Sequence, residues 1–120
     1  MKLVELAYFT ADFPALMAFY QRLLGTDPVA QSEGMAIFLL GEIKIFIHHK
    51  YTPGEGDLPP ENHIAMAVPD IDAACRQLAV LGMAIEVPPL DYYWGRSAYL
   101  RDPDGRLVEL NQETVASQPG

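Results

Sequence analysis

The stretch "VELAYFTADFPALMAFYQRLLG" at residues 4–25 decides the fold, because a second stretch, "NHIAMAVPDIDAACRQLAVLG" at 62–82, repeats its plan. With the two set side by side, Asp12 falls on Asp70, and the closing Gly25 falls within one residue of Gly82. Such self-similarity marks a chain assembled from copies of one supersecondary unit. Each copy opens with a strand of alternating character and then meets an Asp. A short carboxylate there can accept hydrogen bonds from the N–H groups that a first helical turn leaves unpaired. Phe13, Leu16, Met17, Tyr20 and Leu24 recur at helical spacing, as do Ile71, Ala74, Cys75, Leu78 and Leu81. Both helices are expected to stop at glycine, which takes up the left-handed cap without a steric penalty.

Working outward, further strands are expected at 27–31, 35–40 and 43–49 in the first copy and at 84–87, 97–101 and 106–111 in the second. The fold class is therefore α+β, a βαβββ unit written twice. Module one covers 1–50, a Pro/Gly-rich connector covers 51–62, module two covers 63–112, and a loose polar tail covers 113–120. The 120 residues, 50% hydrophobic and 20% charged, suit one domain with one core supply. The longest apolar runs, such as "MAIFLL" at 35–40, fall far short of the roughly 20 residues that cross a bilayer. Glu5 and Asp12 interrupt the only place for a secretory signal, so a cytoplasmic location is expected. The single cysteine, Cys75, excludes an internal disulfide. A formal net charge of −8 argues against nucleic acid and anionic membranes as partners, since phosphate recognition runs on clustered Lys and Arg.

The pieces "ADFPALMAFYQRLLG", "HIAMAVPDIDAA" and "DPDGRLVEL", on two βαβββ units, make the chain resemble the vicinal oxygen chelate superfamily, which includes glyoxalase I, bleomycin-resistance proteins, fosfomycin-resistance enzymes and extradiol dioxygenases. The resemblance runs from about Leu3 to Asn111. It implies that the modules join their mixed β-sheets into an open cup, with metal ligands on the first and last strands of each module. It does not by itself give the reaction.

Carried over residue by residue, the resemblance implies a ligand seven residues before each capping Asp: His63 before Asp70, and Glu5 before Asp12. The last-strand ligand of module two falls on Glu109, which also stands as a catalytic candidate. Its counterpart in module one is Phe46, a departure from the four-ligand glyoxalase pattern, which has a carboxylate there that also abstracts protons. Extradiol dioxygenases use two His and one Glu, where this chain has Glu5 in place of the first His.

Strand geometry agrees with that set, because alternate side chains share a face. Glu5, Ala7 and Phe9 share one face, His63, Ala65 and Ala67 another, and Leu107, Glu109 and Asn111 a third. One imidazole and two carboxylates suit Mn, Fe, Co, Ni or Zn without choosing among them. Taken singly, each residue has a plainer reading. Glu5 is also consistent with a solvated strand end, His63 with a capping or core histidine, and Glu109 with a partner of Arg101 or Arg106. His48 shares the face of Lys44 and Phe46 and is a candidate acid or base, whereas adjacent His49 points to the opposite face. Phe9, Lys44, Phe46, Tyr92, Tyr93 and Trp94 are the substrate-binding candidates, the last three on a loop "DYYWGR" at 91–96. Cys75 reads as core.

Two function classes follow. One is a metal-dependent lyase, isomerase or oxygenase acting on a small molecule that chelates through two adjacent oxygens. The other is a metal-free protein that sequesters a drug or metabolite in the manner of bleomycin resistance. Exposed sheet edges further suggest a homodimer, with modules exchanged between chains as the favoured arrangement.

Overall fold

A computed structural model of the chain describes residues 1–113, so the expected tail lies, apart from Glu113, outside the described residues. Two compact units are present. One is Val4–Ile64; the other is Met1–Leu3 with the described part of Ala65–Gly120. Their elements run β1 (Lys2–Thr10), α1 (Phe13–Leu24), β2 (Ala30–Ser32), β3 (Met35–Leu40) and β4 (Ile43–His49), then β5 (His63–Val68), α2 (Ile71–Val80), β6 (Ile85–Tyr92), β7 (Gly95–Arg101) and β8 (Leu107–Gln112). This is the α+β fold, βαβββ twice over, that the repeat implies.

Capping sets both helices. Asp12 Oδ1 accepts from the Ala15 amide at 3.2 Å, and Asp70 Oδ1 accepts from the Ala73 amide at 3.1 Å. Gly25 ends α1 in the left-handed region at φ 66°, its N–H donating to the Gln21 carbonyl. The second helix differs from expectation at its end. Leu81 is the capping residue and is 75% exposed, so it does not join the apolar stripe, and the glycine turn comes one residue later at Gly82.

In the N-terminal unit the strands lie in the order β2-β3-β4-β1. Strand β1 runs parallel to β4, and β2–β3 and β3–β4 are antiparallel, so the sheet is mixed. Ala36, Phe38, Ile45 and Ile47 form its buried core, packed with Tyr8 and the helical Phe13, Leu16, Met17, Tyr20 and Leu24. Because these strand residues take the helix side, alternation turns Glu5, Ala7 and Phe9 of β1 and Lys44, Phe46 and His48 of β4 to the other side. Register pairs them directly: Glu5 with Lys44, Ala7 with Phe46, Phe9 with His48.

In the C-terminal unit the order is β5-β8-β7-β6. Val68, Ala98, Leu100 and Leu110 pack beneath Ile71 and Cys75 of α2, which leaves Ser97, Tyr99, Glu109 and Asn111 on the face away from the helix. Cys75 is core, as read. Strand β6 is longer than the sequence suggests, continuing through Pro88 and Pro89 to Tyr92. It pairs with β7 alone in this unit, with register shifts on either side of Val87, and an edge strand loses little when a proline withholds an N–H. The stretch 91–96 is thus a tight hairpin between β6 and β7, with only Tyr93 and Trp94 between strands. Strand β2, expected at 27–31, forms at 30–32, after Pro28. Among the described residues no helix is long and apolar enough to cross a membrane.

Candidate functional site

The N-terminal unit brings Glu5 and His63 together. A carboxylate oxygen of Glu5 and a ring nitrogen of His63 lie within 4.8 Å of each other. Both residues are half-buried. The imidazole is oriented by its own chain: Nδ1 lies 2.8 Å from the Glu61 carbonyl oxygen. A carbonyl only accepts, so Nδ1 is the donor of that bond, and Nε2 is the nitrogen that would ligate a metal. That is the arrangement a metal-ligating histidine uses, its second nitrogen held by an outer partner.

Around this pair stands a cluster of rings with Phe9 at its centre. The Phe9 ring centroid lies 5.6 Å from His48, 6.2 Å from His63, and 6.3 Å from both Phe46 and Tyr51. The substrate candidates Phe9 and Phe46 and the acid/base candidate His48 are therefore neighbours. Lys44 is exposed on the same face, opposite Glu5 in register. His48 Nδ1 donates to the His49 carbonyl at 2.7 Å, so its Nε2 is the proton-accepting nitrogen. His49 sits at the strand end against Gly34, and its ring stacks on that of His48 at 4.6 Å, so at the end of β4 the two rings do not diverge as strand alternation implies.

Tyr51 escaped the sequence reading because it lies in the connector, outside any periodic element. Its hydroxyl donates to the Leu58 carbonyl at 2.7 Å and closes the connector into a loop. Burial, aided by the negative charge of Asp57, raises the Tyr51 phenol above its ordinary value. The Phe9 amide further donates to Asn62 Oδ1 at 2.8 Å, pinning the far end of the same segment to β1.

In the C-terminal unit Glu109 is only 5% exposed. Ser97 Oγ donates to its Oε2 at 3.0 Å, and Asn111 Nδ2 donates to the same oxygen at 3.2 Å. A carboxylate inside a strand is thus met by polar neighbours from its own face, as burial demands. Of the arginines considered as partners, Arg101 bridges to Glu86 and Arg106 to Asp102 and Asp104.

The aromatic hairpin divides its three rings. Tyr92 and Trp94 stack at 4.5 Å with an interplanar angle of 1°, and Trp94 Nε1 donates to Ser97 Oγ at 3.0 Å. Burial first, then the Glu109 charge, raises the Tyr92 phenol. Tyr93 is 93% exposed, touching Trp94 edge-on.

A doubled βαβββ chain carrying carboxylates and an imidazole on the strand faces away from its helices defines a class, and the comparisons identify it. Residues 2–110 match the Glyoxalase/Bleomycin resistance protein/Dioxygenase superfamily, and the chain belongs to that superfamily. It is 37% identical over 71 residues to a lactoylglutathione lyase of Pseudomonas aeruginosa, covering 59% of this chain and 40% of the lyase. It is 34% identical over 114 residues to a lactoylglutathione lyase of Pseudomonas putida, covering 95% of this chain and 61% of the lyase. The chain thus spans less than two thirds of the length of either enzyme. The fold is shared with the Mn(II)-bound glyoxalase from Novosphingobium aromaticivorans, at a TM-score of 0.69, 20% identity, and coverage of 97% of this chain and 42% of that one.

Proposed function

We propose that Glu5, His63 and Glu109 hold one divalent cation, and that the protein is a metal-dependent lyase or isomerase acting on a small molecule that chelates through two adjacent oxygens. The observation that carries this reading is the placement of His63, whose Nδ1 is held by the Glu61 carbonyl while a Glu5 carboxylate oxygen lies within 4.8 Å of a ring nitrogen. A buried Glu109 supplies the kind of oxygen ligand such a centre needs. A Mn(II)-bound glyoxalase that shares this fold supports the choice. When bound, the cation would polarise a substrate oxygen. Two carboxylates formally cancel its charge, so the donor set makes a weaker Lewis acid than two histidines and one glutamate would.

The chain's own residues divide the remaining work. Phe9, Phe46 and Tyr51 offer an apolar wall beside the ligand pair, and His48 Nε2 accepts the proton that the reaction moves. Lys44 attracts the anionic part of a substrate, while Tyr92 and Trp94 stand beside Glu109. The working species is a homodimer, since strands β2 and β6 each end the sheet of their own unit.

Titration of the apo protein with Mn(II) in a calorimeter tests the reading. One ion per chain should bind, and His63→Ala or Glu109→Ala should abolish binding while circular dichroism stays native. The ring cluster around Phe9 also favours a second reading, metal-free capture of an aromatic compound. Wild type that takes up no Mn(II), Co(II), Ni(II) or Zn(II) would leave that reading in place of the first.

A further inference from the structure

Glu109 does not stand alone in its unit. Ser97 of β7 pairs with Asn111 of β8, and Tyr99 pairs with Glu109, so Ser97 and Asn111 flank the carboxylate on one face. Ser97 is fully buried. An indole N–H can only donate, so the Trp94 bond to Ser97 Oγ uses a hydroxyl lone pair and leaves the single hydroxyl proton for Glu109. The chain of bonds therefore has one direction: Trp94 to Ser97 to Glu109, with Asn111 as a second donor to the same oxygen. Together these two donors hold Oε2 from two sides. The far end of the chain lies on the β6–β7 turn, where Trp94 is locked flat against Tyr92.

We infer that Ser97 and Trp94 are positioning residues for the metal centre: by holding Oε2 they fix the rotation of the Glu109 carboxylate and so the orientation in which it would meet the cation. This inference rests on the proposed metal site. It adds that metal affinity and ligand geometry are set partly from a hairpin turn whose residues do not themselves touch the metal. Outer partners of ligating carboxylates act in this way, and their loss commonly weakens metal binding by about 10–100-fold.

The test uses wild type, Ser97→Ala and Trp94→Phe, each titrated with Co(II) and Mn(II). Trp94→Phe keeps an aromatic ring for the Tyr92 stack and removes only the N–H, and it lies at a partly exposed turn, so it remains informative if Ser97→Ala fails to fold. Calorimetry should show affinity lowered by about 10–100-fold in Ser97→Ala and by a smaller factor in Trp94→Phe. The visible bands of the bound Co(II) should shift in both variants, because the carboxylate rotates, which a purely structural role would not produce. In wild type and in Asn111→Ala, metal addition should change Trp94 fluorescence; in Ser97→Ala the change should vanish, the link being cut. Affinity within twofold of wild type together with an unshifted Co(II) spectrum in both variants would overturn the inference while leaving the metal site standing. Wild type that binds neither ion would overturn both at once.

Discussion

Replacing Glu109 in two ways separates what the carboxylate does for the fold from what it does for a ligand. Glu109→Ala removes the acceptor of the Ser97 hydroxyl, which is fully buried, and of the Asn111 amide, which is half-buried and can turn to water. A buried donor left without a partner costs about 1–3 kcal/mol, so the Ser97 term alone should destabilise the apo protein by about 2 kcal/mol. At roughly 4 °C per kcal/mol for a chain of this size, the melting temperature should fall by about 8 °C. Glu109→Gln keeps an oxygen in the same place. Its amide oxygen accepts from Ser97 and Asn111, so apo stability should change by less than about 1 kcal/mol. Metal separates wild type from both variants. At a free cation concentration of about 100 times Kd, binding to the native state stabilises by about 2.7 kcal/mol, or about 10 °C, in wild type. Neither variant should show that gain. Scanning calorimetry of the three proteins with and without Mn(II) reads all six values. An apo Glu109→Gln that melts as low as Glu109→Ala, or a Glu109→Gln that keeps the wild-type metal shift, would refute the reasoning.

Three further outcomes follow from the structure. Asp12→Ala and Asp70→Ala should each cost about 1 kcal/mol, read as a lower denaturant midpoint, with Mn(II) affinity unaltered, since each removes one helix cap. The hydrogen bond from Arg96, the largest cause, holds the Asp72 carboxyl below its ordinary value of 3.8. The native form therefore binds the proton less readily than the unfolded chain, and the stabilisation is full above pH 3.8 and lost as pH falls through the native value. A melting-temperature gap between wild type and Asp72→Asn should accordingly be open at neutral pH and close under acid, whereas a gap that widened under acid would contradict the assignment. With modules exchanged between the two chains of a dimer, Glu5 of one chain would meet His63 and Glu109 of the other, so co-refolded Glu5→Ala and His63→Ala chains should recover one ion per heterodimer, and confirmed heterodimers that stay metal-free would show that the modules are not exchanged.

Legibility in the sequence followed the range of the interactions involved. The two helices and the core face were readable because capping and helical spacing are local, and Phe13, Leu16, Met17, Tyr20 and Leu24 all lie in the core they imply. Leu81 followed the same spacing and failed, since the helix ends one residue before it and the stripe no longer binds. Strand β6, expected to end at Val87, runs on through Pro88 and Pro89, which an edge position tolerates. At the site, alternation correctly placed Phe46 and His48 on one face of β4, and the parallel pairing of β1 with β4, which alternation does not report, brings Phe9 beside them. Alternation does not report hydrogen-bond partners, so the bonds from Ser97 to Glu109 and from His63 to Glu61 were out of reach. Tyr51 was missed because nothing in a Pro/Gly-rich connector marks which side chain folds back.

The central claim is that this chain carries a divalent cation, and metal content of the purified protein tests it most directly. Wild type expressed without an affinity tag and exchanged into chelator-treated buffer should, by elemental analysis, retain or take up about one equivalent of Mn, Fe, Co, Ni or Zn per chain, and His63→Ala prepared alongside should contain none. A natively folded wild type that remains metal-free after exposure to each of these ions, or a His63→Ala protein that holds as much metal as wild type, would contradict the account.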